Sequence, residues 1–508
     1  MGIMGKTKKE GKGIVRAIIC SLVIFLGFIA FFSARWYIVV CGDLGFDSIL
    51  YTLTAGLGGV ESDLINQYML DAFLPAAVCW VVLSLVLFVK IKKPLEISTK
   101  NDKKIKLYPF PKWFQITVST VLCIVLLAQA AATVGLAGYV GQAFQKTDIY
   151  EKYYVDPNTA AITFPEQKRN VIFIYLESME TTFLSTEQGG GNDFNAIPEL
   201  YELAKENINF SHNSDVGGFN AITGGTWTTG ALVSLTSGVP LKVPFTIGSN
   251  GYSTDDTFLP GLTTLSDVLG KNGYYQTLMV GSDANFGGRK QYFEQHGADK
   301  IYDLFTARED GIIPEDYHVW WGMEDYYLFE YAKKELLEIS GMGEPFAFTM
   351  LTVDTHHIGG YVCEHCGSEH AEQYENVLSC SSKQVTAFVE WITEQDFYEN
   401  TTVIISGDHP TMDGAYIVRN TPKGYERHVY NCIINSAVTT ENTKNREFAT
   451  HDMFPTVLAA MGCEIEGDRL GLGTNLFSET PTLCELLGTE KLKKELQKTS
   501  DFYNEKFY

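Results

Sequence analysis

The chain has 508 residues, 45% of them hydrophobic, which is enough for a large globular core plus an appendage. Its formal net charge of −22 excludes nucleic acid as a partner, because a phosphate backbone demands basic surface. The charge is unevenly spread: residues 1–138 hold 14 basic and 8 acidic side chains, so the remainder carries −28.

Three apolar stretches come first. Ile14–Phe32 contains a single charge, Arg16; Met69–Val89 contains only Asp71; Ile116–Val140 contains none. Each is close to the roughly 20 residues that span a bilayer, which predicts transmembrane helices at about 14–33, 69–89 and 116–140. No small-residue cleavage site follows the first stretch, where the chain reads FFSARWY, so it is expected to remain as an anchor. Lys6, Lys8, Lys9, Lys12 and Arg16 precede the first span. Lys90, Lys92, Lys93, Lys100, Lys103, Lys104, Lys106 and Lys112 fill the second loop, whereas the first loop holds Asp43, Asp47, Glu61 and Asp63. Lys and Arg stay on the cytoplasmic side, so the N-terminus is expected inside the cell membrane and everything beyond about Gly141 outside.

The expected organisation is a membrane anchor over 1–141, a polar connector over 142–167, a catalytic domain over 168–480 and a helical tail over 481–508. The domain opens on Asn170–Leu176 (NVIFIYL), which reads as a fully buried strand; Tyr275–Val280, Phe346–Val353 and Thr402–Ser406 read alike. Helical patterns at Leu262–Lys271, Asp325–Ile339 and Ser381–Glu394 separate them. This alternation predicts an α/β fold with a mostly parallel central sheet flanked by helices. Cys363, Cys366, Cys380, Cys432, Cys463 and Cys484 fall in this outer part. A structural disulfide is expected among the first three, with free thiols and a metal as alternatives.

Ligands of such sheets bind beyond the carboxyl ends of the strands. Glu177 follows the first strand, Asp354, His356 and His357 follow the third, and Asp408 and His409 follow the fourth. A lone Asp-His pair after a strand is mostly a satisfied loop element. Three strands delivering such groups to one edge point instead to a mixed oxygen and nitrogen site for Mn²⁺, Mg²⁺ or Zn²⁺. The segment Gly224–Leu241 (GGTWTTGALVSLTSGVPL) offers a Thr hydroxyl at the start of a short helix, where the helix dipole and a metal would activate it.

The ordered series NVIFIYLES, TWTTGALVSLTSGVPL, TVDTHH, SGDHP and RLGLGTNLF resembles the alkaline phosphatase–sulfatase superfamily. Within it, the chain is similar to lipoteichoic acid synthases and to the phosphoglycerol transferases that modify periplasmic glucans. The resemblance implies Glu177, Asp408, His409 and Thr228 as metal ligands, with Thr228 as nucleophile rather than Thr226 or Thr229. Trp227-Thr228 matches the Trp-Thr pair that leads the family's helix, and Gly238 stands ten places after Thr228, as a glycine does after the sulfatase nucleophile. Arg289 matches an arginine that grips substrate phosphate. His356 matches a substrate-pocket histidine that protonates the leaving oxygen or orients the acceptor; Asp354 and His357 are nearby substrate residues. Val280 departs from the synthases, which tend to place a histidine there, and the spans are fewer than theirs.

The expected activity is a membrane-bound transfer of phosphoglycerol from phosphatidylglycerol to a glycan or polyglycerophosphate acceptor. It would run through a metal-bound phospho-threonine, with Mn²⁺ as the cofactor. Phosphoethanolamine transfer, a phosphodiesterase or sulfatase-type hydrolase, and a non-enzymatic membrane sensor or scaffold are the competing readings. A true sulfatase would need a Cys or Ser where Thr228 stands.

Overall fold

The structure is a computed structural model that describes residues 2–42, 46–55, 62–89, 95–98, 104–243 and 257–508. Lys90, Lys92, Lys93, Lys100 and Lys103 of the basic loop, and Asp43 and Glu61 of the acidic one, lie outside the described residues. Helix α1 spans Gly2–Cys41, α2 Phe46–Ala55, α3 Leu74–Phe88 and α4 Lys112–Thr133. Three helical stretches are long and apolar enough to cross a membrane: Gly13–Val40, Ile65–Phe88 and Lys112–Thr133. They mark the chain as a membrane protein. The third stops short of the expected residue 140 because Gly135 adopts the left-handed conformation at φ +67°, which ends the helix.

The chain forms two compact units, Met1–Val40 with Val60–Gly138, and Cys41–Gly59 with Tyr139–Tyr508. In the first, polar side chains find one another between helices. Arg16 Nη2 donates to Gln115 Oε1 at 3.1 Å, Gln115 Nε2 to the Leu87 carbonyl at 2.8 Å, and Trp80 Nε1 to Ser21 Oγ at 2.8 Å. In lipid no water would satisfy these groups, so such pairs fasten helices together.

The second unit is built on a seven-stranded sheet. Its elements in chain order are β1 (Asn170–Leu176), α5 (Pro198–Glu206), β2 (Gly218–Phe219), α6 (Thr228–Ser237), α7 (Leu265–Lys271), β3 (Tyr275–Val280), α8 (Arg289–Gln295), β4 (Lys300–Tyr302), α9 (Asp325–Ser340), β5 (Phe346–Leu351), α10 (Gln373–Thr393), β6 (Thr401–Gly407), β7 (Val429–Ile434) and α11 (Met453–Ala460). The strand order is β2-β7-β6-β1-β5-β3-β4. From β6 to β4 all neighbours are parallel, while β7 and β2 add an antiparallel edge.

Side-chain alternation along β1 divides the core. Val171, Phe173 and Tyr175 join the layer containing α6, α7, α8 and α11; Ile172, Ile174 and Leu176 join the layer containing α5, α9 and α10. Burial on both faces is why this strand reads as a continuous apolar run. Truncating Ile174, which is fully buried, to Ala would cost about 2–5 kcal/mol. Because β6, β1 and β5 are adjacent, their carboxyl ends bring three loops from distant parts of the chain to one point.

Candidate active site

Glu177 leaves β1 and is held on both sides. Its backbone N–H donates to Thr352 Oγ1 at 3.0 Å, and Thr355 Oγ1 donates to its carbonyl at 2.5 Å. Ser178 then turns into the left-handed region (φ 56°), so its N–H reaches Asp408 Oδ1 at 2.8 Å and its hydroxyl reaches Glu177 Oε1 at 2.7 Å. Asp408 Oδ1 also accepts the His409 N–H at 2.7 Å. His409 Nδ1 lies 2.9 Å from the Pro410 carbonyl, an acceptor only, so Nδ1 carries the proton and Nε2 presents its lone pair. That nitrogen stands 3.5 Å from Glu177 Oε1 and 3.3 Å from Asp408 Oδ2.

Thr228 is the first residue of α6, with Trp227 as its N-cap. Gly230 is required behind it, since a Cβ there would come within 2.4 Å of the Gly224 carbonyl. Thr228 Oγ1 lies 3.3 Å from Glu177 Oε2 and 3.3 Å from His409 Nε2. Thr229 faces elsewhere, its hydroxyl bonding that of Tyr51.

Glu177, Asp408 and His409 are almost wholly buried, and their ligand atoms all lie within 4.8 Å of one another. Burial pushes the Glu177 carboxyl up, but the His409 imidazole, then His356, the Ser178 hydroxyl and Arg289 bring it below its ordinary value. Asp408 is pushed up to about 7, first by burial and then by the neighbouring Glu177 charge. Burial alone would lower His409, yet Asp408 and Glu177 raise it. Asp408 Oδ2 is buried without a hydrogen-bond partner among the described residues. Two crowded carboxylates, an orphaned oxygen and an outward imidazole lone pair fit a divalent cation.

Arg289 is 2% exposed and opens α8 behind Gly287 and Gly288, both left-handed. Its Nε donates to the Phe286 carbonyl at 3.0 Å and its Nη2 to Ser282 Oγ at 3.0 Å and the Asp283 carbonyl at 2.6 Å. Burial lowers the Arg289 guanidinium, against the charges of Glu177, Asp283, Tyr51 and Asp408, which raise it. His356 points Nδ1 at the His357 carbonyl, 2.7 Å away, and its ring lies 4.5 Å from Trp321. Burial lowers His356 and lowers His357 further. Asp354 is not gathered in: it shares no hydrogen bond or ion pair with Glu177, Asp408 or His409 among the described residues. It is pushed well above the carboxylate range by burial, then by Asp325 and Cys363.

Sequence reasoning missed Tyr51, Ser178, Trp320 and Trp321. The Tyr51 hydroxyl donates to the Gly287 carbonyl and its ring lies 5.4 Å from Trp227. Trp320 stacks on Tyr361 at 5.6 Å beside His356. Ser178 could have been found as the residue directly after a strand-end ligand; Tyr51 carries no local signal. The expected disulfide is corrected: Cys363, Cys366 and Cys380 are all free, with sulfurs 3.6–3.7 Å apart, a contact rather than a bond.

The chain is 28% identical over 340 residues to phosphoglycerol transferase I of Escherichia coli O127:H6, covering 65% of this chain and 41% of that relative. The corresponding Escherichia fergusonii protein is 28% identical over 270 residues, covering 52% of this chain and 33% of its own length. The chain therefore spans less than half the length of the curated relatives it matches. Among solved structures, the integral membrane lipooligosaccharide phosphoethanolamine transferase A of Neisseria meningitidis matches 87% of this chain and 84% of its own, at 12% identity and a TM-score of 0.51. The lipoteichoic acid synthase LtaP of Listeria monocytogenes matches 65% of this chain and 81% of its own, at 17% identity and a TM-score of 0.49. The sulfatase family model matches residues 169–463, a stretch that opens just before β1 and contains Glu177, Thr228, Asp408 and His409. With more than half of its length so matched, the chain belongs to the sulfatase family.

Proposed function

We propose that the protein is a membrane-bound phosphoglycerol transferase, with phosphatidylglycerol as donor and a cell-envelope glycan or polyglycerophosphate hydroxyl as acceptor. The observation that carries this reading is the Thr228 hydroxyl, at the N-terminus of α6 and 3.3 Å from both Glu177 and His409, in a chain similar to phosphoglycerol transferase I. Glu177, Asp408, His409 and Thr228 would hold a divalent cation, manganese in our reading. When bound it supplies positive charge that lowers the Thr228 hydroxyl pKa and offsets charge on the phosphoryl oxygens.

Thr228 Oγ1, its hydroxyl proton given up to solvent beforehand, attacks phosphorus, forming a Thr–O–P bond as the bond to diacylglycerol breaks. His356 holds its Nδ1 proton toward the His357 carbonyl, so in the doubly protonated imidazolium it is Nε2 that hands a proton to the departing diacylglycerol oxygen. Burial keeps this imidazole below its ordinary value, which favours release. In the second step the acceptor hydroxyl attacks phosphorus, its proton returns to His356 Nε2, and Thr228 leaves as the alkoxide that began the cycle. Arg289, fixed by its three internal acceptors, stabilises the phosphoryl charge. The basic residue pattern supports a cytoplasmic N-terminus and an extracytoplasmic catalytic unit. A membrane anchor suits a lipid donor that cannot leave the bilayer.

The test is the purified full chain in vesicles containing fluorescent phosphatidylglycerol and Mn²⁺. Diacylglycerol release that vanishes with EDTA and in Thr228→Ala is expected. No release from folded, metal-loaded protein, with turnover of a phosphoethanolamine lipid instead, would overturn the donor.

A further inference from the structure

Among the described residues, the transfer chemistry leaves one group of metal-capable side chains unused. Cys363 and Cys366 lie on the loop that follows β5 and bears His356 and His357; Cys380 lies on α10. Cys363 Sγ is 3.6 Å from Cys366 Sγ and 3.7 Å from Cys380 Sγ, and all three sulfurs lie within 4.8 Å of one another. Cys363 and Cys380 are each 4% exposed, and Cys366 is half-buried.

Four bonds at about 2.3 Å in a tetrahedron put neighbouring sulfurs about 3.8 Å apart, the spacing of a zinc thiolate site. The two sulfur separations lie close to that edge length. The groups around the sulfurs are donors. The backbone N–H groups of His365 and Cys366 point at Cys363 Sγ, and Gln384 Nε2 lies 3.3 Å from Cys380 Sγ. N–H donors aimed at sulfur stabilise thiolate and hold the ligand in place. The turn is closed by the Cys366 N–H to the Cys363 carbonyl at 3.1 Å, so both loop sulfurs sit on one side of it. His365, between them, lies 4.4 Å from the Tyr326 ring and pairs with Glu364, so it supplies no fourth ligand.

We propose that Cys363, Cys366 and Cys380 bind a zinc ion, separate from the Glu177–Asp408–His409 centre, that clips the His356–His357 loop onto α10. Soft thiolates select zinc over the hard cations suited to the carboxylate site. The three thiols give up their protons to solvent on binding, and water takes the fourth position beside the half-exposed Cys366. The clip has a mechanical consequence. Between the histidines and the cysteines, the Tyr361 N–H donates to the Asp354 carbonyl at 2.7 Å and its ring stacks on Trp320, which flanks His356. Fixing Cys363 to α10 therefore fixes the aromatic wall and the histidines together. The proposal stands apart from the transfer reading, and its test reads metal and spectra rather than turnover.

The experiment uses the full chain, purified in detergent, dialysed against excess Mn²⁺ to fill the carboxylate site, and analysed by plasma mass spectrometry. One zinc per chain should survive dialysis, and a mercurial should release it. Cobalt reconstitution should give a near-ultraviolet thiolate-to-cobalt band. Cys380→Ser should lose the zinc equivalent and the band, whereas Asp408→Asn should keep both. Limited proteolysis within 354–372 should accelerate in Cys380→Ser. If that variant does not fold, the mercurial release and cobalt band of the unaltered protein still decide. A native protein with no retained zinc would overturn the proposal, whether its thiol count reveals three free thiols or one left over from a disulfide.

Discussion

Thr228 Oγ1 stands 3.3 Å from His409 Nε2, although 181 residues separate them, and it is equally far from Glu177 Oε2. Its neighbour Thr229 is 4% exposed and bonds Tyr51 instead. The two hydroxyls thus have distinct surroundings one residue apart. Thr228→Ala should abolish the labelled covalent intermediate and lower transfer by about 10³-fold or more, as losses of nucleophiles do. Thr228→Ser should retain the intermediate. Thr229→Ala should form it too, while unfolding at lower temperature. Gel detection of protein labelled from headgroup-tagged lipid reads all three.

Arg289 has three internal bonds that a lysine cannot reproduce, because one ammonium cannot match the planar fork of a guanidinium. Arg289→Lys should lower kcat/KM for lipid release by about 10–100-fold, the scale of one lost charge-assisted contact plus misplacement. Steady-state kinetics on vesicles would measure it, and a variant with unchanged kcat/KM would remove Arg289 from phosphate recognition.

Tyr51 lies on α2, between the first two long apolar helices in sequence, yet it clusters with the catalytic unit. Burial pushes its hydroxyl well above the ordinary tyrosine value, consistent with a neutral donor to the Gly287 carbonyl. Tyr51→Phe should cost about 1 kcal/mol for the hydrogen bond, and Tyr51→Ala about 3–5 kcal/mol with the packing on Trp227. Thermal unfolding in detergent would show this order. A fragment beginning near residue 139 should be less stable than one that retains α2.

His212 and His428 stack with ring centres 3.5 Å apart, and Gly218 N–H donates to His212 Nδ1. Burial, followed by the His212 imidazole and with a smaller effect of Lys493, lowers His428 from 6.5 to about 3; burial also lowers His212, against Glu447 and Glu426. The unfolded chain therefore binds more protons than the folded one between these values, and stability falls as pH drops from about 6.5 toward 3. His428→Asn should flatten that acid limb in denaturant titrations at stepped pH. An unchanged slope would place the acid sensitivity elsewhere.

Much of this protein is written locally. Asn170–Leu176 and Tyr275–Val280 have the bounds expected from their apolar runs, because a strand buried on both faces must be apolar throughout. Glu177, Asp408 and His409 stood out since a charged or imidazole side chain directly after such a run lies at a strand's carboxyl end. The antiparallel β7 at Val429–Ile434 carries no comparable signal, because VYNCII has neither a clean alternation nor flanking ligands.

The family resemblance singles out Thr228, but the separation of its hydroxyl from Glu177 and His409 is a property of the tertiary structure. Three threonines within four residues share one composition, and the start of α6 turns Thr228 toward Glu177 and His409 and Thr229 toward Tyr51. Asp354 read like its neighbours His356 and His357, but its backbone N–H is tied to Asp325 Oδ2 at 3.3 Å and both its carboxylate oxygens are buried without a hydrogen-bond partner among the described residues. Cys380 is grouped with Cys363 and Cys366 by the sequence; the structure adds that their sulfurs meet without bonding, 3.6 and 3.7 Å from Cys363 Sγ. Residue types and strand ends are short-range properties of burial and periodicity. The meeting of loops depends on strand order, which places β6, β1 and β5 side by side and is encoded by no single segment.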